Sequence, residues 1–84
     1  MNAEELRALI LTELARIAPE IEAANLDPQA ALHAQVDLDS MDWLNFLIAL
    51  HQHVGVDIPE ADYARLGSLN AIHDYLWQKI NTSG

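Results

Sequence analysis

Hydrophobic residues recur at helical spacing through most of this chain, and the places where the period breaks fall at proline, glycine or a capping residue. Leu6, Leu9, Ile10, Leu14 and Ile17 share one face of a helix that Asn2 can cap, with Glu4 and Glu5 in its opening turn. Pro19 disfavours helical geometry at Ala18, so the helix stops or kinks there. Residues 19–38 carry no clear period. Asp27-Pro28 reads as the start of a turn, a short helical piece from Pro28 to about Ala34 is compatible with the pattern, and Leu32, Val36 and Leu38 are expected to plug a long loop into the core. A second helix starts at Asp39 or Ser40 and ends near Gly55, where a left-handed cap suits glycine. Val56-Asp-Ile-Pro59 is expected to be extended. Pro59 opens a short third helix, Glu60 to Leu66, with Tyr63 and Leu66 inward and Gly67 as its stop. Ser68 caps the last helix, whose stripe is Leu69, Ile72, Leu76 and Ile80, flanked by Tyr75 and Trp77. Residues 81–84 read as a frayed tail of a single domain spanning 1–84.

The helix after Ser40 carries more apolar surface than one core needs. At about 100° per residue, Trp43, Phe46, Leu47, Leu50 and Val54 fall in one sector, and Met41, Leu44 and Ile48 in a second. Ser40 sits in the gap between them. One reading buries the helix on both sides and leaves Ser40 as a cap. The other leaves Met41, Leu44 and Ile48 as a docking strip, with Ser40 carrying something.

Charge and size narrow the field. The 84 residues hold 13 acids against 4 bases, a formal charge of −9. Between Arg16 and Arg65 stand nine acids and no lysine or arginine, and that block surrounds Ser40. Such a surface repels nucleic acid and anionic membrane and steers basic partners, besides favouring solubility. A chain this short buries about 60–65% of its unfolded surface, too little for a deep catalytic cleft as well as a core. The absence of cysteine removes disulfides, thiolate chemistry and Cys-based zinc sites. No signal-peptide pattern or membrane-length apolar run occurs, so a cytoplasmic protein without membrane insertion is expected. His51 and His53, two apart on a helix, face different ways, and no metal-binding spacing appears among the four histidines. No histidine is placed by sequence to activate Ser40, and the three scattered glycines make no phosphate-cradling loop.

Three stretches together resemble the acyl carrier proteins: Val36-Asp-Leu-Asp39-Ser40-Met41-Asp42, Val56-Asp-Ile58-Pro59-Glu60 and Gly67-Ser68-Leu69. The Ile58-Pro59 pair, 18 residues after Ser40, the acidic third helix and the final amphipathic helix give the match its specificity. The pattern can be followed from about Leu32 to Leu76. The resemblance implies an all-α four-helix bundle with a long first loop and a short third helix. It implies that Ser40 carries 4′-phosphopantetheine, attached by a phosphopantetheinyl transferase, with Asp39 beside the modification site. Met41, Asp42, Leu44 and Ile48 coincide with the family's partner-docking face. The protein would then be a monomeric carrier and not an enzyme. It would present acyl thioesters to enzymes with basic docking patches in a fatty acid, polyketide or related pathway. The alternatives are an unmodified helical interaction module and an aminoacyl or peptidyl carrier, which usually shows glycines just before the serine.

Several positions depart from the family pattern. Asp37 stands where glycine is usual, and Asn45, His51 and Gln52 replace common glutamates of the docking face. Trp43 occupies a position that is usually small and polar, and is expected to pack against the loop. His73 replaces an aliphatic residue and is expected to be a hydrogen-bonded core histidine.

Overall fold

The computed structural model describes residues 2–82. Helix α1 is Ala3–Ile17, α2 is Leu32–Gln35, α3 is Ser40–Val54 and α4 is Leu69–Thr82, with short 3₁₀ segments at Ala23–Asn25 and Glu60–Arg65. The all-α expectation holds, and no β-strand occurs among the described residues. No helix among them is long and apolar enough to cross a membrane.

Each long helix starts and stops where local chemistry provides partners. Asn2 and Glu5 form a reciprocal capping box, the Asn2 side chain accepting from the Glu5 N–H at 2.8 Å. Ser68 Oγ accepts from the Ala71 N–H at 3.1 Å. Gly55 closes α3 in the left-handed region, at φ 73°, with its N–H donating to His51 O at 2.8 Å. Helix α1 packs against both α3 and α4. Between them Leu6, Ile10, Leu14, Phe46, Leu47, Leu50, Ile72 and Leu76 form the buried centre.

The long loop is held at several points. Leu32, Val36 and Leu38 are buried in the core, as their pattern predicts. The Leu32 N–H donates to Gly67 O at 2.8 Å and the Asn70 N–H to Pro28 O at 2.9 Å, tying the loop to the start of α4. Gln35 accepts from the Asp27 N–H at 2.6 Å and donates to Asp27 O at 2.8 Å, closing the loop on itself. The short helix of this region lies at Leu32–Gln35, later than the pattern suggested.

Other expectations need correction. The third helix is a 3₁₀ segment: Pro59 offers no side-chain cap, and the Asp62 and Leu66 N–H groups reach back three residues, to Pro59 and Tyr63. Bounded by Pro59 and Gly67, the segment closes through these three-residue bonds instead of α-type ones. Gly67 does not act through a left-handed turn, since Gly55 alone has positive φ among the described residues. Its carbonyl anchors the loop instead. Asp37 likewise keeps an ordinary φ, so this turn does not need glycine's freedom. Helix α4 continues through Asn81 and Thr82, and the rest of the expected tail, Ser83 and Gly84, lies outside the described residues.

Candidate functional site

The site is built where the long loop turns into α3. Burial of Leu38 fixes the chain just before Asp39, which enters the helix in extended conformation at φ −83° and ψ 179°. Asp39 is the cap: its carboxylate accepts from the Asp42 N–H at 2.8 Å. The Asp39 carbonyl takes the Trp43 N–H at 3.0 Å. Ser40, the first helical residue, is exposed, and capping is left to its neighbour. The first N–H groups of a helix project from its end with partial positive charge, which suits an anion there.

The two apolar sectors separate as the spacing predicts. Phe46, Leu47 and Leu50 are buried and Trp43 is half-buried. Met41, Leu44 and Ile48 are 66%, 39% and 45% exposed, large apolar side chains left open on the surface. Asp42, in the first turn, is half-buried beside the cap.

Two open clefts flank this face of α3. The first, about 620 Å³, is lined by His33, Leu38, Asp39, Ser40, Trp43, Leu44, Glu60 and Tyr63. The second, about 450 Å³, is lined by Leu47, Ile48, His51, Asp57, Ile58, Pro59 and Tyr63. Tyr63 belongs to both. The 3₁₀ segment that supplies it is tied to α4, where the Tyr75 hydroxyl donates to the Asp62 carboxylate. Arg65 and Lys79 lie 5.2 and 5.3 Å from the Tyr75 ring centroid. Burial, the bond to Asp62 and that carboxylate's charge push the Tyr75 hydroxyl up to about 12, against a smaller opposing pull from Arg65.

The histidines divide their work. His33 meets Trp43 in a tilted ring contact with centroids 5.0 Å apart, and Trp43 in turn meets Phe46 at 5.5 Å. Trp43 thus packs against the loop, as expected, while also lining the first cleft. His51 Nδ1 lies 2.8 Å from Val56 O and 3.7 Å from Asp57 Oδ1. His53 turns the other way, its Nε2 3.1 Å from the buried carboxylate of Glu13. His73 Nε2 meets Ala3 O at 2.9 Å and its ring stacks on Trp77, joining α4 to α1. Among the described residues no group of three or more His, Asp or Glu is placed to hold a metal ion.

Sequence reasoning placed Asp39, Ser40 and the exposed strip but not the cleft walls. Glu60 and Tyr63 reach this cleft from 20 and 23 residues further along the chain and His33 from α2 just before the site, and no local period marks them. Glu13 was also invisible, since a glutamate in an amphipathic helix ordinarily faces water.

The family described as "Phosphopantetheine attachment site" matches residues 4–76. An acyl carrier protein of Thermosynechococcus vestitus is 22% identical over 77 residues, covering 92% of this chain and 89% of that protein. No solved structure gives a significant match. With most of its length matched and the helical architecture in agreement, the chain belongs to the phosphopantetheine-attachment-site family, carrier proteins whose prosthetic group is covalent 4′-phosphopantetheine.

Proposed function

We propose that Ser40 is the attachment point and that the protein carries acyl groups as thioesters for partner enzymes. The observation that carries this reading is the exposed Ser40 at the start of α3, with capping done by Asp39. The residues fit the group. An accessible hydroxyl faces an open cleft, and the helix end favours the negative charge of a phosphodiester. When bound, the arm supplies the thiol that a chain without cysteine lacks. On a separate transferase, Ser40 Oγ gives up its proton and bonds to the pantetheine-bearing phosphorus of coenzyme A, while the pyrophosphate P–O bond breaks and adenosine 3′,5′-bisphosphate leaves. Asp39 holds the helix end in place for that encounter.

Met41, Asp42, Leu44 and Ile48 form the partner surface: three exposed apolar side chains at the edge of an acidic field. Its complement is a partner with an apolar groove rimmed by lysine or arginine, such as acyl-activating or acyl-transferring enzymes. The test is to incubate the protein with coenzyme A and a broad-specificity transferase and weigh it. One added phosphopantetheine, absent in Ser40→Ala, is expected. No mass change with several transferases would favour an unmodified interaction module.

A further inference from the structure

A phosphodiester on Ser40 brings negative charge to a place where the charge is already one-sided. Between Arg16 and Arg65 the chain has no lysine or arginine. Asp39 and Glu60 line the same cleft as Ser40. Of the side chains lining that cleft, His33 alone can become a cation.

The fold holds His33 at this place from two sides. Its neighbour Leu32 is fully buried, and the Leu32 N–H donates to Gly67 O at 2.8 Å, which pins α2 while His33 stays exposed. On the other side the His33 ring meets the Trp43 ring, with centroids 5.0 Å apart and planes tilted by 53°. Trp43 stands three residues after Ser40, so their Cβ atoms are neighbours about 5–6 Å apart across one turn of α3. The imidazole is therefore kept beside the first turn, in the open space that Ser40 also lines.

We infer that His33 is the counter-charge of the phosphodiester: its imidazolium, protonated from solvent, donates to a phosphoryl oxygen and holds the phosphate on the α2 side of the helix end. The inference rests on Ser40 being the attachment point. His33 is then a positioning residue and forms no covalent bond to the group. An imidazolium N–H on a phosphate oxygen is a charge-assisted hydrogen bond, stronger than a neutral one. The start of α3 favours the same anion, so cation and helix end act on it together. The other ionisable groups of the cleft do not take this role. The Asp39 carboxylate accepts from the Asp42 N–H, and Glu60 is exposed, where solvent screens its pull on an imidazolium. Tyr63 offers a phenol that can donate but carries no positive charge. His51 lines the second cleft, His53 meets Glu13, and His73 meets Ala3 O.

The experiment is phosphorus-31 nuclear magnetic resonance of the holo protein between about pH 5 and 8. A phosphodiester does not titrate there and an ordinary histidine does, so a step in the signal reports a histidine beside the phosphate. The wild type should show one step. His33→Phe keeps a ring against Trp43 without a titratable nitrogen, and the step should be lost. His33→Lys, cationic across the range, should stay flat near the acidic limit of the wild type. His51→Gln should keep the step. A flat wild-type signal, or a step that survives in His33→Phe, would overturn the inference while leaving the carrier reading intact. Independently of any variant, the His33 ring nitrogen signals should shift when apo protein is converted to holo, and those of His73 should not. If the His33 signals stay fixed, the phosphate is not held there. If the protein gains no mass at all, both this inference and the attachment reading fall.

Discussion

Asp39 and Ser40 are adjacent and do different work, and substitution should separate them. Asp39→Ala removes the cap and should lower stability by about 1 kcal/mol in a denaturant titration. Ser40→Ala should leave stability within about 0.5 kcal/mol, because an exposed side chain outside the capping network is lost. Leu44→Glu should weaken turnover by partner enzymes while leaving the circular dichroism melt nearly unchanged, and a large fall in melting temperature would show the strip to be core. Tyr75 has a pH signature. Its pKa is about 12 against an ordinary 10, so the folded state holds the hydroxyl proton more tightly than the unfolded chain. Stability from this group is complete below pH 10 and is lost as pH rises from 10 towards 12. Melting temperature should fall over that window more steeply in the wild type than in Tyr75→Phe.

At the scale of elements, the sequence was most informative where one residue type has one local job. Asn2, Asp39, Gly55 and Ser68 mark helix boundaries that hold. Gly67 was a subtler case, because glycine after a helix suggests a left-handed stop, yet here its carbonyl anchors the loop. The two glycines should therefore respond differently to alanine. Gly55→Ala should destabilise by about 1 kcal/mol from its positive φ alone, since no atom lies within 4 Å of the added Cβ. Gly67→Ala, with open space and no positive φ, should be neutral or slightly stabilising. Thermal melts of both variants check the contrast. The shift of the short helix to Leu32–Gln35 has a similar origin. Its ends are set by the Leu32 N–H reaching Gly67 and by Gln35 closing on Asp27, contacts that a local window cannot contain.

Over the whole molecule, the acid excess and the exposed strip act together. A chain of net charge −9 that presents Met41, Leu44 and Ile48 beside its acidic block should find basic partners faster at low salt. Association rates with such a partner should fall about tenfold or more between dilute and physiological salt, dissociation rates changing less. The clefts along α3 belong to this scale too. They arise because the 3₁₀ segment is held to α4 through Tyr75 and Asp62, leaving open space beside α3. That arrangement is a property of the assembled fold, which is why the serine could be singled out from sequence and its surroundings could not. The attachment proposed for Ser40 depends on one oxygen atom, and its occupancy can be weighed directly. Fragmentation mass spectrometry of protein purified from the cells that make it should place a phosphopantetheine group on the peptide containing Ser40. A serine found unmodified while the pathway runs, or the group found on another residue, would contradict it.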